Sequence, residues 1–143
     1  MNGEIKLSIF GGDMVSTDKV LKNFAVIKQK AESVLKDSNQ VASLVQAAMA
    51  KIAQSGPKIN TVKTDLKDLL EMLRGYLNGS YTNIPWKSLV AITAGIIYFV
   101  NPLDLIPDFM AGVGFLDDIK VIELVLRQVH TDLSTFRKHK GSV

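Results

Sequence analysis

Ser88-Leu-Val-Ala-Ile-Thr-Ala-Gly-Ile-Ile-Tyr-Phe-Val100 runs directly into Asn101-Pro-Leu-Asp-Leu-Ile-Pro-Asp-Phe109, and these two adjoining pieces decide the fold. The first piece carries no charge and has no polar face. A helix that is apolar on every side is buried in protein or in lipid. Its thirteen residues cover roughly 20 Å at about 1.5 Å each, whereas a bilayer core needs about 30 Å. The length therefore predicts a central core helix over 85–100, opened by Pro85. The second piece stops that helix, because Pro102 and Pro107 fix φ and remove backbone donors. It sets Asp104 and Asp108 among large aliphatic residues, where a carboxylate needs a partner.

Beyond this corner, Gly112 and Gly114 let the chain turn, and Asp117 or Leu116 starts a last helix with Asp118 near its positive end. Ile122, Val125, Leu126, Val129, Leu133 and Phe136 recur at helical spacing and predict one amphipathic helix over 117–138, with a frayed tail over 139–143. Upstream of the apolar run, residues 75–83 (Gly-Tyr-Leu-Asn-Gly-Ser-Tyr-Thr-Asn) are rich in turn formers and read as a loop. Three further helices are predicted before it. Val20, Phe24, Ile27, Ala31 and Val34 form the first stripe, opened by Ser16 or Thr17. Asp37-Ser38-Asn39 breaks that helix and caps the next, in which Val41, Leu44, Val45, Ala48, Met49 and Ile52 face inward. Ser55-Gly56-Pro57 is the next break, and Ile59, Val62, Leu66, Leu69 and Leu73 follow at heptad spacing. Residues 4–10 alternate polar and apolar, a strand pattern with no partner strand elsewhere in the chain.

The expected fold is accordingly all-α: a five-helix bundle of three amphipathic N-terminal helices plus a C-terminal helical hairpin with a Pro/Asp corner. The expected organisation is an N-terminal arm over 1–16, an amphipathic helical region over 17–83, a hairpin over 84–138 and a short tail. A chain of 143 residues suits one such domain with an appended arm.

Composition narrows the function. There is no cysteine, so disulfides and thiolate metal sites are excluded, and no export signal opens the chain. The cytoplasm is the expected location, with membrane association as the alternative. The net charge of +3 comes from the first half, where residues 1–83 hold eleven Lys/Arg against eight Asp/Glu while residues 84–143 are balanced at six each. These lysines are scattered and have no aromatic residues interleaved for base stacking, so no nucleic-acid partner is expected.

Asp104, Asp108, Asp117 and Asp118, with the amide oxygen of Asn101, form the one constellation that could converge on a divalent cation. The simpler reading gives each a local task. Asn101 ends a helix, Asp104 and Asp108 accept backbone N–H groups in turns, and Asp117 caps the last helix. The spacing is not that of an EF-hand loop. His130 and His139 are nine residues apart, too far for a helical ligand pair. No nucleophile elbow or phosphate-cradling loop is present. The Ala91 and Gly95 pair, of small-x-x-x-small spacing, lets another helix approach closely, in lipid or in a core. Trp86 reads as an interfacial anchor or as a lid on the core.

Tyr98-Phe-Val-Asn-Pro-Leu-Asp-Leu-Ile-Pro-Asp-Phe-Met-Ala-Gly-Val-Gly-Phe-Leu-Asp-Asp118 resembles the signature of the YkvA-like family, a bacterial helical domain of unknown function. Asn101, Pro102, Asp104, Pro107, Asp108, Gly112, Gly114, Asp117 and Asp118 carry the likeness, which extends over roughly residues 84–130. Met110-Ala111 departs from the family, which often has a further proline-containing turn there. The resemblance implies a helical hairpin about the corner and no established reaction, cofactor or catalytic residue. The expected function is a non-enzymatic binding or scaffolding module acting through protein partners or self-association. Two alternatives stand beside it: a membrane-associated protein using helices 85–100 and 117–138, and a divalent-metal-dependent hydrolase using the aspartates.

Overall fold

The computed structural model describes residues 17–100 and 118–141. The expected strand over 4–10 and the Pro/Asp corner lie outside them. Among the described residues the chain is all-α, with six α-helices and one 3-10 turn. Helix α1 spans Thr17–Leu35, α2 Ser38–Ser55, α3 Lys63–Asn78, α4 Trp86–Val100, α5 Asp118–Gln128 and α6 His130–Gly141.

The breaks between helices follow local chemistry. Asp37 caps α2, its Oδ1 accepting from Asn39 N at 3.0 Å and Gln40 N at 3.4 Å. These contacts satisfy backbone donors that a helix start leaves unpaired. Gly56, at φ 64°, ends α2, and Pro57 opens the 3-10 turn Gly56–Ile59. Ile59 and Val62 are buried ahead of α3, so the expected stripe is intact although regular α-helix starts only at Lys63. Pro85 O accepts from Leu89 N at 3.0 Å, placing the proline at the head of α4 as expected.

Three expectations are corrected. The loop read over 75–83 is shorter, because α3 continues through Asn78 and stops at Gly79, whose φ of 79° is left-handed. Gly75 serves packing instead: a Cβ there would lie 2.9 Å from the Tyr81 Cβ. Tyr81 can fold back onto α3, its N–H donating to Gly75 O at 3.1 Å, only because that position is bare. The single last helix is in fact two, α5 and α6, which is why the described residues hold six helices and not five. The break falls at Val129, yet Val129 N still donates to Val125 O and Leu133 N to Val129 O, both at 2.9 Å. The inner stripe is therefore unbroken, with Ile122, Val125, Val129, Leu133 and Phe136 all buried. Helix α6 also continues through Gly141, so residues 139–141, expected in the tail, are helical.

Helix α4 occupies the centre. It packs against α1, α2, α3 and α5, and ten of its residues, from Ser88 to Phe99, are buried. Its lack of a polar face is thus matched by cover on its flanks. Gly95 admits α5 so closely that a Cβ there would lie 2.6 Å from Val125 Cγ2. No helix among the described residues is long and apolar enough to cross a membrane.

Candidate functional site

Of the residues singled out in the corner, Asn101, Pro102, Asp104, Pro107, Asp108, Gly112, Gly114 and Asp117 lie outside the described residues. Asp118 is the first residue of α5. Among the described residues, no group of three or more His, Cys, Asp or Glu side chains could hold a metal ion.

Both ends of α4 are held by polar contacts. At its start, Ser88 Oγ donates to the Asp132 carboxylate of α6. Near its end, Lys51 of α2 donates to Phe99 O, and its ammonium lies 4.9 Å from the centre of the Phe99 ring. The last carbonyls of a helix have no intrahelical donor, and a cation there also meets the negative end of the dipole.

A second polar set joins α3 to α6. Arg137 bridges Asp65 at 2.5 Å and Asp68 at 2.8 Å, while Lys140 reaches Asp68 at 3.2 Å and Glu71 at 3.0 Å. The hydrogen bonds to Asp65 and Asp68 hold the Arg137 guanidinium above its ordinary pKa, and those to Glu71 and Asp68 do the same for Lys140. The matching signal in the sequence is a three-residue step on each helix: Asp65, Asp68 and Glu71 on α3, Arg137 and Lys140 on α6. Neither this ladder nor the two ties on α4 was read from the sequence.

The surface that stands apart is the outer face of α2. Its exposed residues include Gln40, Ala42, Ser43, Gln46, Ala47, Met49, Ala50, Ala53 and Gln54, and no exposed residue of this helix is charged. Lys51, the helix's single charged residue, is half-buried and turned to Phe99. Helices α1 and α3 differ, exposing Lys28 and Lys30, and Lys63, Lys67, Glu71 and Arg74. Met49 is 46% exposed, among the largest apolar exposures of the described residues.

Residues 88–124 match the family described as "Protein of unknown function (DUF1232)". This stretch is thus similar to the DUF1232 family and is the DUF1232-like segment of the chain. The signature read from Tyr98 to Asp118 lies inside it, and the segment takes in α4 from Ser88 and the first half of α5. The chain is also 43% identical over 68 residues to a Bacillus subtilis (strain 168) protein described as "Uncharacterized membrane protein YkvA". That alignment covers 48% of this chain and 64% of the Bacillus protein, somewhat under two thirds of the latter's length. No solved structure matches the chain. Lys51, Asp132 and the α3–α6 ladder all fall outside the DUF1232-like segment.

Proposed function

We propose that this protein is a non-enzymatic helical docking module that self-associates through the outer face of α2. In this reading α1, α2 and α3 form a platform. Helix α4 with α5 is the hairpin of the YkvA-like type, and α6 is its bent continuation. The single observation that carries the reading is the absence of charge from the exposed side of α2, on a chain whose other N-terminal helices expose lysines. The occupant is a second copy. Two lysine-bearing faces brought together would repel, whereas two copies of the α2 face bring no like charges into contact. Ala42, Ala47, Ala50 and Ala53 leave room for close helix approach, since interaxial distance follows side-chain size at the contact, and Met49 supplies an adaptable apolar contact. Sedimentation equilibrium of the full chain tests this. The expected result is a concentration-dependent dimer that Ala47→Glu or Ala50→Glu converts to monomer with helical content unchanged. A strict monomer at high micromolar concentration ends the reading, as does a dimer indifferent to both charges.

A second reading, association with a membrane, is favoured by the description of the Bacillus relative as a membrane protein. Trp86, 44% exposed beside exposed Lys87, is the local feature that suits it, because tryptophan favours the headgroup level. Co-sedimentation with phosphatidylcholine/phosphatidylglycerol vesicles, lost in Trp86→Ala, is expected in that case. Full recovery in the supernatant removes it.

A further inference from the structure

Helix α6 carries little support of its own. Its twelve residues contain no alanine and include Thr131, Ser134, Thr135 and two histidines, types that gain little from a helical backbone. An isolated helix of this length is marginal in water even when built from good helix formers. It is helical here because it is docked. Leu133 and Phe136 are its buried residues, against ten of the fifteen residues of α4. The ion-pair ladder to α3 is therefore a large part of what holds it.

That ladder joins two rows of charge, each unfavourable when alone. Asp65, Asp68 and Glu71 repeat every three residues on α3, and Arg137 and Lys140 do the same on α6. Like charges one turn apart repel. Docking gives each row its counter-charge, through Arg137 to Asp65 and Asp68 and through Lys140 to Asp68 and Glu71. Asp68 is well covered, but the other side chains of the ladder are between 36% and 49% exposed. Pairs so exposed are weakened by salt.

The connection to α5 is suited to a hinge. Val129 is the single residue between α5 and α6. It is fully buried, and its N–H is tied back to Val125 O at 2.9 Å. Helix α6 can leave α3 through changes at this one position, while Val125 stays packed against Gly95 of α4.

We propose that α6 is a salt-released strap. It opens about Val129 as a unit of its own while α3, α4 and α5 stay packed, and ionic strength sets how often it is open. Opening uncovers the Tyr81 ring, which lies against Phe136 and His139 with centroids 4.9 Å away in each case. It also breaks the contact between Ser88 and Asp132 at the head of α4 and leaves the three carboxylates of α3 without their cations. The strap uses none of the exposed residues of α2, so it stands whether or not the chain self-associates there.

Native-state amide hydrogen exchange of the full chain tests this, read residue by residue by NMR. The comparison is between low salt and about 1 M sodium chloride, where the Debye length falls to about 3 Å. Each rate is divided by the intrinsic rate of that amide in the same buffer. The amides of residues 134–141 should exchange through one shared opening that the buried amides of α4 do not take part in. High salt should speed them roughly three- to ten-fold, with the α4 amides unchanged or slower. Asp65→Asn/Glu71→Gln alters two carboxylates that are 36% and 49% exposed, so the fold is retained and far-UV circular dichroism verifies it. This double variant should speed the same amides at low salt by a similar factor and shrink the effect of added salt. Exchange of α6 at the rate of the α4 core overturns the proposal, as does protection that falls off smoothly toward Gly141, the mark of simple fraying. A separate opening that ignores both the salt and the double variant overturns it too.

Discussion

Gly95→Ala is the most direct probe of how the DUF1232-like segment is packed. Two effects of opposite sign meet at this position. Replacing glycine by alanine inside a helix stabilises it by about 1 kcal/mol, because the unfolded chain has fewer conformations to lose. Against this, the new methyl group would lie 2.6 Å from Val125 Cγ2 and 3.4 Å from Val125 Cβ. The first separation is far inside van der Waals contact. Val125 is buried and β-branched, so within a helix it has essentially one side-chain rotamer and cannot swing aside cheaply. Forcing an extra methyl into a packed contact costs about 1–3 kcal/mol. The net expectation is a loss of about 0–2 kcal/mol by urea denaturation with an unchanged m-value. The sharper readout is the cycle with Val125→Ala. That substitution alone costs about 2 kcal/mol through lost burial and an incompletely collapsed cavity. It also vacates the space the new methyl group needs. The double variant should therefore be more stable than the sum of the single effects by about 1–3 kcal/mol. If Gly95→Ala raises stability by the full helix-propensity gain, and its effect adds to that of Val125→Ala without coupling, then α5 does not approach α4 at Gly95 and the reasoning fails.

The remaining predictions concern polar groups. Thr93 is fully buried and its hydroxyl has no hydrogen-bond partner, so Thr93→Val, which keeps the shape and removes the orphan, should raise unfolding stability by about 1 kcal/mol; a loss would mean that the hydroxyl is satisfied. Removing Asp68, whose side chain is 11% exposed and meets two cations, should cost about 1–2 kcal/mol, whereas Arg137→Ala, at a 42% exposed guanidinium, should cost no more than about 1 kcal/mol and less in concentrated salt. The carboxylates hold Lys140 above its ordinary 10.5, so its contribution is complete below the unfolded-state value and is lost as pH rises through the folded-state value; Lys140→Gln should flatten that alkaline limb of a stability–pH curve. Asp37 is held below 3.8, chiefly by the Gln40 side chain and backbone. The stability gap between wild type and Asp37→Ala should therefore be present at neutral pH and close only as pH falls through that lowered value.

Periodicity made most of the core legible. Val41, Val45, Ala48 and Ile52 on α2, Leu66, Leu69 and Leu73 on α3, and Ile122, Val125, Val129, Leu133 and Phe136 on the C-terminal helices are all buried as their spacing implies. The break at Val129 escaped because the backbone bonds on either side keep register, so the stripe passes through without a phase shift. Gly75 was misread for a different reason. A glycine beside turn-forming residues predicts a turn, but at this position the missing Cβ makes room for Tyr81, and such a close approach is a tertiary fact. The candidate surface was hidden by the same habit of reading stripes inward. The second-helix pattern identifies Val41, Val45 and Ile52, and it placed Met49 among them, yet Met49 lies on the exposed side. The polar ties depend on which helix ends meet in space, and spacing along one helix does not encode that.

Those ties join the family-like stretch to the rest of this chain. Residues 88–124 are the DUF1232 match, yet each end of α4 is fixed by a side chain from outside it. Asp132 accepts a hydrogen bond from the Ser88 hydroxyl at the start, and Lys51 donates to Phe99 O near the finish. The second contact is the more consequential, because Phe99 stands two residues before Asn101, where the Pro/Asp corner begins. Lys51 satisfies a helix-end carbonyl that would otherwise need water or a capping residue, and its cation–π contact with the same residue restrains the ring as well. It is also the one charged residue of α2, the helix whose other side is the proposed docking face. The end of α4 is therefore held by a side chain from the N-terminal helices, and those helices lie outside the stretch that matches the family.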